Sequence, residues 1–267
     1  MTSIAVVGKG GVGKTFTAAN LARLFARDKY KVIAIDMDSN PTLALALGVP
    51  EEKEDSLVPI VERSDLVKDR TEIPGAPGTF KLNPQVSDLL DSFSLMASDD
   101  VRLLVAGAVR TDEGCMCGAH ALVKALLRHL VYSRSELVIF DMEAGLENFS
   151  RGTLKNVNHL IIVSEPSRSS ITTLTRIVKH AREMNLSEER IWVIFNKWPD
   201  TDEKPLQDIV ENLGITLLGV IPFSPEISAA DMKGIPLIDS DKNSKVIETI
   251  KLMKNRLLEV LEIDKTN

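Results

Sequence analysis

The residues best suited to chemistry form a glycine-rich loop near the start of the 267-residue chain. Lys14 and Thr15 close this loop, and the glycines before them have the spacing of a phosphate-binding loop. The glycines let backbone N–H groups turn inward, Lys14 would reach the β- and γ-phosphates, and the Thr15 hydroxyl would bind Mg²⁺. We therefore predict a site for ATP or ADP with Mg²⁺. Its loop residues are Gly8, Lys9, Gly10, Gly11, Val12, Gly13, Lys14, Thr15 and Phe16.

The segments on both sides of this loop favour phosphate binding over a simple turn. Residues 4–7 form a short apolar run typical of a buried strand. After the loop, apolar residues recur at helical spacing from Ala18 to Phe25, so a helix is predicted to begin at the loop. The positive end of its dipole would face the bound phosphates. A glycine-rich turn in an ordinary α/β protein is the alternative, but it requires neither the full spacing nor this strand–loop–helix order.

Acidic residues follow two predicted strands. Asp36 ends the strand predicted at 31–36 and Asp38 follows it, while Asp141 ends the strand predicted at 136–141. Because ligands bind at the carboxyl ends of parallel strands, we expect these carboxylates near the phosphate loop. Asp36 and Asp141 are predicted to support Mg²⁺ through water. For Asp36 and Asp38, the alternative is N-capping of a helix after the strand.

The two cysteines of the chain, Cys115 and Cys117, lie one residue apart in a glycine-flanked loop. Two thiolates at this spacing can bind one cation, but structural Zn²⁺ usually takes four ligands. A two-fold dimer would supply the second pair, because an isologous interface brings the same patch together twice. His120 is close enough in sequence to replace a thiolate. The alternative is a pair of cysteines near a helix start that binds no metal.

Strands and helices alternate along the chain, which predicts an α/β fold with a mostly parallel, doubly wound sheet and helices on both faces. We expect a single domain over residues 1–267, with an irregular insertion at about 50–98 that holds a short strand within 79–84. The other strands are expected at 4–7, 31–36, 101–107, 136–141, 159–163, 190–195 and 216–221. The later helices are expected at 119–132, 169–184 and 206–213, with two helical stretches closing the chain.

Composition limits the possible partners. The hydrophobic share of 44% and the few aromatic residues suit a parallel sheet buried on both faces. A net charge of −6 does not favour a nucleic-acid partner. No apolar run is long enough to span a membrane, and the amphipathic stretch 251–263 has mixed charge, so we expect it to pack on the domain. We therefore expect a cytoplasmic protein without a nucleic-acid or membrane partner.

Taken together, the motifs resemble those of a known family. The loop with its additional lysine, Lys9, resembles the deviant Walker A motif of P-loop NTPases such as MinD, ParA and the nitrogenase iron protein. The segment 141–145, Asp-Met-Glu-Ala-Gly, resembles the switch II of that class. The cysteine loop, the 80–84 stretch and Arg-Gly-Thr at 151–153 further resemble the CooC family. Members of that family are nickel-insertion ATPases that mature carbon monoxide dehydrogenase.

This resemblance implies roles that the local sequence does not. Lys9 would reach across a dimer interface to the partner's nucleotide, whereas by itself it could be a solvated loop lysine. Asp38, in the switch I segment 38–41, would position the attacking water, so that Lys9, Lys14 and Asp38 form the catalytic set. This segment reads Asp-Ser-Asn-Pro, where family members usually run Asp-Pro directly.

The resemblance also implies a site for the base at the ends of two later strands. Asn196 would read the adenine, and Lys197 and Pro222 would complete this part of the site. By itself, an Asn-Lys pair after a strand is also common in turns. The Gly145 N–H would sense the γ-phosphate and couple hydrolysis to movement of the segment that follows it.

The resemblance thus implies a homodimer, promoted by nucleotide and metal, that hydrolyses ATP with Mg²⁺. It would bind Ni²⁺ or Zn²⁺ at Cys115 and Cys117 of both subunits and deliver nickel to carbon monoxide dehydrogenase. One alternative is a maturation ATPase for acetyl-CoA synthase or another nickel enzyme. Another is a spatial-organisation switch of the MinD or ParA type, which predicts ATP-dependent binding to liposomes or DNA.

Overall fold

The computed structural model describes residues 2–54, 57–76, 78–108, 117–133, 136–144, 157–199, 204–241 and 244–261. The predicted metal ligand Cys115 lies outside these ranges, as do Gly145 and the segment 151–153.

The described strands form one eight-stranded sheet in the order β3-β4-β2-β5-β1-β6-β7-β8. Every neighbouring pair is parallel except β3 and β4, which are antiparallel. The mostly parallel sheet confirms the expected fold class. The strands are β1 Thr2–Gly8, β2 Val32–Met37, β3 Leu95–Met96, β4 Arg102–Val105, β5 Leu137–Met142, β6 His159–Ser164, β7 Ile191–Trp198 and β8 Thr216–Pro222.

Helices cover both faces of this sheet, because its central strands are apolar on both sides and bury two separate cores. One core holds the apolar faces of α1, α2, α10 and α11, and the other holds those of α6, α7 and α8. The helices are α1 Lys14–Arg27, α2 Leu43–Ala46, α3 Glu51–Glu54, α4 Ser64–Thr71, α5 Leu89–Phe93, α6 Cys117–Ser133, α7 Arg168–Glu183, α8 Lys204–Leu213, α9 Pro225–Asp231, α10 Leu237–Ser240 and α11 Lys245–Leu258.

The irregular insertion packs against the start of α6. A Cβ atom on Gly118 would lie 2.6 Å from Thr71 Oγ1 and 3.1 Å from the Phe80 ring, so glycine permits this close approach. The short strand predicted within 79–84 is wrong: an isolated bridge joins Phe80 to Glu72. Pro84 has no N–H to extend a ladder. This part of the insertion therefore supports the start of a helix and adds no strand to the sheet.

The closing helices secure the edge of the sheet at β8. The C-terminal helix α11 buries Val246, Ile250, Met253 and Leu257 against the core, as expected for an amphipathic helix packed on the domain. The structure divides the segment before it into two helices, α9 and α10, where the sequence analysis predicted fewer helical stretches. Among the described residues, no helix is long and apolar enough to cross a membrane.

Candidate functional site

The phosphate loop joins β1 to α1 and passes very close to neighbouring strands. Gly13 has φ 96° and precedes the first residue of α1. A Cβ atom there would lie 2.3 Å from Asn196 Nδ2, and one on Gly8 would lie 2.3 Å from the Val163 carbonyl oxygen. Both positions therefore require glycine, because the loop has no room for a side chain on this side.

Lys14 is buried at the base of this loop. Its Nζ donates a hydrogen bond to the Lys9 carbonyl oxygen over 3.3 Å. Burial lowers the pKa of Lys14, and the negative charges of Asp141, Asp38 and Glu143 oppose that shift. The ammonium group thus lies among carboxylates inside the loop, where a triphosphate would also lie.

Asp36 and Asp141 lie side by side, because they are paired in register on the neighbouring parallel strands β2 and β5. Burial raises the pKa of Asp141 to about 7, and the negative charges of Asp36 and Asp38 raise it further. A hydrogen bond from the Thr15 hydroxyl and the positive charge of Lys14 act in the opposite direction and lower this pKa. Asp141 Oδ1 is buried and has no hydrogen-bond partner among the described residues. The carboxylate oxygens of Asp36 and Asp141 suit Mg²⁺, because a water molecule bound to the ion would donate a hydrogen bond to Asp141 Oδ1.

Asp36 also organises the chain that follows β2. Its Oδ1 accepts a hydrogen bond from the Asp38 N–H over 3.0 Å, and its Oδ2 accepts one from the Leu43 N–H over 2.9 Å. Burial raises the pKa of Asp36 to about 6, although these two hydrogen bonds lower it. Leu43 is the first residue of α2, so Asp36 caps that helix, the role considered above as the alternative to Mg²⁺ binding. The two roles are compatible, because a carboxylate has about four acceptor positions.

Asp38 and Ser39 form the turn between β2 and α2. Asp38 Oδ1 accepts a hydrogen bond from the Asn40 N–H over 2.9 Å, which stabilises the turn. Ser39 Oγ donates a hydrogen bond of 2.5 Å to Glu143 Oε1 in the switch II segment. The sequence analysis did not single out Ser39 or Glu143, because nothing in the local pattern indicates a contact between residues so far apart in the chain.

Lys9 lies at the surface of the loop. Its Nζ donates a hydrogen bond of 2.9 Å to Ser169 Oγ, in the first turn of α7. In the isolated chain the lysine is therefore held by its own subunit.

Asn196 and Lys197, at the end of β7, hold the phosphate loop from one side. Asn196 Nδ2 donates to the Val12 carbonyl oxygen over 2.8 Å, and Lys197 Nζ donates to the Gly11 carbonyl oxygen over 2.7 Å. Pro222 ends the adjacent strand β8, where it is exposed. The structure thus brings Asn196 and Lys197 to the loop and places Pro222 at the end of the next strand.

A pocket of about 480 Å³ begins at Thr15 and Phe16 and extends between α1, α2 and the α9–α10 region. Asn20 lines it, and its Oδ1 is buried without a hydrogen-bond partner among the described residues. Ile227 and Asp231 of α9 form part of the opposite wall. The sequence analysis missed this pocket, because its walls come from segments about 200 residues apart and its size depends on their packing.

Cys117 is the first residue of α6 and is exposed. Within the described ranges, which leave out Cys115, no group of three or more His, Cys, Asp or Glu residues could hold a metal ion. A site shared by two subunits would not be present in one chain, so the metal site remains a prediction.

Comparisons with known proteins bear on the family and the fold of the chain. Residues 4–237 match the CobQ/CobB/MinD/ParA nucleotide binding domain family. An ATP-binding protein of Methanocaldococcus jannaschii is 43% identical over 92% of this chain and 95% of its own length. The carbon monoxide dehydrogenase accessory protein CooC of Rhodospirillum rubrum is 41% identical over 88% of this chain and 89% of its own length. The Mg-ADP complex of the septum site-determining protein MinD from Pyrococcus horikoshii has a TM-score of 0.69 at 21% identity, over 96% of this chain and 95% of that one.

The chain belongs to the CobQ/CobB/MinD/ParA nucleotide-binding family. Within that family it is a CooC-like ATPase, which confirms the resemblance inferred from its motifs. The likeness to MinD bears on the fold alone, because the identity is only 21%. The loop, the buried Lys14 and the paired Asp36 and Asp141 lie together at the carboxyl ends of the central strands.

Proposed function

We propose that this ATPase is a dimeric, cytoplasmic metal carrier that couples ATP hydrolysis to delivery of nickel to carbon monoxide dehydrogenase. The observation that carries the proposal is the 41% identity to the CooC accessory protein over 88% of the chain. The Cys115 and Cys117 pair supports it, because thiolates suit the softer transition metals.

In this proposal, the phosphate loop binds the triphosphate through the backbone N–H groups of residues 8–16, and Lys14 neutralises its β- and γ-oxygens. Thr15 would bind Mg²⁺, and Asp36 and Asp141 would hold the ion through water. Mg²⁺ would neutralise part of the negative charge of the phosphates. Its positive charge would also lower the pKa of the neighbouring Asp141 carboxyl. Asp38 positions the attacking water.

The nucleoside would extend from the phosphate loop past Thr15 and Phe16, which also line the 480 Å³ pocket. Asn196 would turn from the Val12 carbonyl to the adenine, with Lys197 and Pro222 beside it. The present hydrogen bond from Asn196 to Val12 supports this role, because it keeps the amide next to the loop.

ATP also drives dimerisation in this proposal. Lys9 leaves Ser169 and reaches the phosphates of the partner's nucleotide, so that each subunit completes the other's site. The solvent-exposed hydrogen bond from Lys9 to Ser169 supports such a movement, because exposed hydrogen bonds contribute little to stability. Hydrolysis then removes the shared γ-phosphate and opens the dimer.

Dimer closure would bring together Cys115 and Cys117 of both subunits and form a four-thiolate site. The metal it holds is cargo, and opening of the dimer would release it to the client enzyme. Ni²⁺ and Zn²⁺ both accept thiolate ligands, so metal analysis must identify the ion.

The test is metal binding by a variant with both Cys115→Ala and Cys117→Ala, in the presence of ATP and Mg²⁺. We expect the variant to lose stoichiometric Ni²⁺ and Zn²⁺ binding and to bind ATP with unchanged affinity, because the thiolates take no part in the nucleotide site. Unchanged metal binding would contradict the proposal.

Two further outcomes would indicate a different client enzyme or a different class of protein. Nickel transfer to acetyl-CoA synthase but not to carbon monoxide dehydrogenase would identify a maturation ATPase for a different nickel enzyme. ATP-dependent binding of the wild-type chain to liposomes or DNA, unaffected by the cysteine changes, would indicate a MinD- or ParA-type switch.

A further inference from the structure

A hydrogen bond joins the two switch segments at the phosphate loop. Ser39 Oγ in switch I donates to Glu143 Oε1 in switch II over 2.5 Å, which is at the short end for a hydroxyl bound to a carboxylate. Ser39 occupies the position after Asp38 where an Asp-Pro sequence would have a proline and no donor.

Glu143 lies at the carboxyl end of β5, at the edge of the sheet where the phosphate loop also lies. It follows β5 two residues after Asp141, and its charge acts on the buried Lys14 ammonium. The next residue, Ala144, is at the loop itself, because a Cβ atom on Gly10 would lie 3.8 Å from Ala144 Cβ. The Glu143 side chain is therefore close to the loop residues expected to hold the γ-phosphate.

We propose that Glu143 is a further catalytic residue of this ATPase, which orients the attacking water at the γ-phosphate, and that Ser39 is the residue that positions it. This inference rests on the proposed roles of the phosphate loop and Asp38, and is independent of the metal cargo.

Two acceptors are needed because of the geometry of the attack. A water whose lone pair points at phosphorus directs both hydrogens away from it, so it is held best by two acceptors. Asp38 is one, although its Oδ1 already accepts a hydrogen bond from the Asn40 N–H. Glu143 is the other, since its carboxylate accepts the hydrogen bond from Ser39 beside the phosphate loop and can accept several hydrogen bonds at once.

In the step itself, the water oxygen forms a bond to the γ-phosphorus while the bond to the β,γ-bridging oxygen breaks. ADP leaves with the electron pair of that bond. One water proton stays on the inorganic phosphate, and the other is released to solvent. Glu143 and Asp38 contribute orientation, which matters more than covalent chemistry in phosphoryl transfer.

The test is steady-state ATP hydrolysis, without nickel or zinc, by wild type, Glu143→Ala, Glu143→Gln, Ser39→Ala and the Ser39→Ala/Glu143→Ala double variant. We expect Glu143→Ala to lower kcat about 100-fold with KM and ATP affinity within about threefold of wild type. Ser39→Ala should lower kcat about tenfold. The double variant should be no slower than Glu143→Ala, because Ser39 acts through Glu143.

Glu143→Gln keeps an acceptor for the Ser39 hydroxyl, so a merely structural link between the switches would leave its kcat near wild type. We expect it to lose at least tenfold, because a neutral amide holds the water less strongly. Glu211→Ala, at an exposed position of α8, is the matched control and should match wild type. Nucleotide titration and thermal denaturation of each variant verify folding.

Three results would overturn the inference. They are wild-type kcat in Glu143→Ala, wild-type kcat in Glu143→Gln, and a double variant whose loss is the product of the two single losses. Failure of the wild-type chain to hydrolyse ATP would instead contradict the proposed ATPase site as a whole, which keeps the two failures apart.

Discussion

At the scale of single residues, the candidate nucleotide site combines buried charges with the Gly8–Thr15 loop. Lys14 lies within the field of Asp141, Asp38 and Glu143. Burial raises the pKa of Asp36 to about 6 and that of Asp141 to about 7. Such a group of carboxylates around one lysine fits a site completed by a triphosphate and Mg²⁺, which add negative and positive charge together.

The first prediction at this scale concerns Lys14→Ala. Removing the ammonium should weaken ATP binding at least 100-fold, about 2.7 kcal/mol, because Lys14 supplies the buried positive charge expected to contact the β- and γ-phosphates of the same subunit's nucleotide. Isothermal titration with ATP and Mg²⁺ measures the change. Lys179→Ala, at an exposed position of α7, is the control and should bind like wild type. ATP binding of wild-type strength in Lys14→Ala would show that the nucleotide lies elsewhere.

Part of this site could be predicted from the sequence. Asp36 and Asp141 were expected near the loop because both end parallel strands, and the register of β2 and β5 places them side by side. The contact between Ser39 and Glu143 could not be predicted, since it depends on how two turns approach each other. The hydrogen bond from Lys9 to Ser169 was also beyond prediction, because it depends on where α7 begins.

At the scale of elements, the buried Arg23 joins α1 to two other segments of the chain. Arg23 Nε donates to Asp99 over 2.7 Å, and its Nη1 and Nη2 donate to both oxygens of Asp239 over 2.5 and 2.8 Å. Asp99 precedes β4 and Asp239 is in α10, so one guanidinium group joins three segments.

We predict that Arg23→Met lowers the free energy of unfolding by about 2 kcal/mol, because Asp99 and Asp239 would lose their buried partner and keep only the half-exposed Arg27. Lys251→Met is the control, since Lys251 pairs with Glu248 at the exposed surface of α11 and such pairs contribute less than about 1 kcal/mol. Denaturant unfolding measures both. Equal effects of the two substitutions would contradict a structural role for the buried network.

The elements differ in how well the sequence predicts them. The long apolar runs of β1, β2, β5, β6 and β7 were placed to within a few residues, because strands buried on both faces contain little else. The two-residue strand β3 has no such run, and it forms only because β4 offers a free edge. The incorrect strand within 79–84 shows the same limit, since a short apolar stretch does not reveal whether a pairing partner exists.

At the scale of the whole molecule, the proposed function requires two copies. One chain has a single cysteine pair and a Lys9 that contacts its own Ser169, whereas a dimer would join two pairs and exchange the two lysines. ATP binding and metal binding should then promote each other, because both favour the same closed dimer and linkage is reciprocal.

The most direct test of this account is light scattering of the purified chain with and without Ni²⁺ or Zn²⁺, with metal analysis of the separated species. We predict a metal-induced dimer that carries one metal ion for every two chains and that is absent in the Cys115→Ala/Cys117→Ala variant. A chain that remains monomeric with Ni²⁺ or Zn²⁺, or that binds one ion per monomer, would contradict the shared thiolate site.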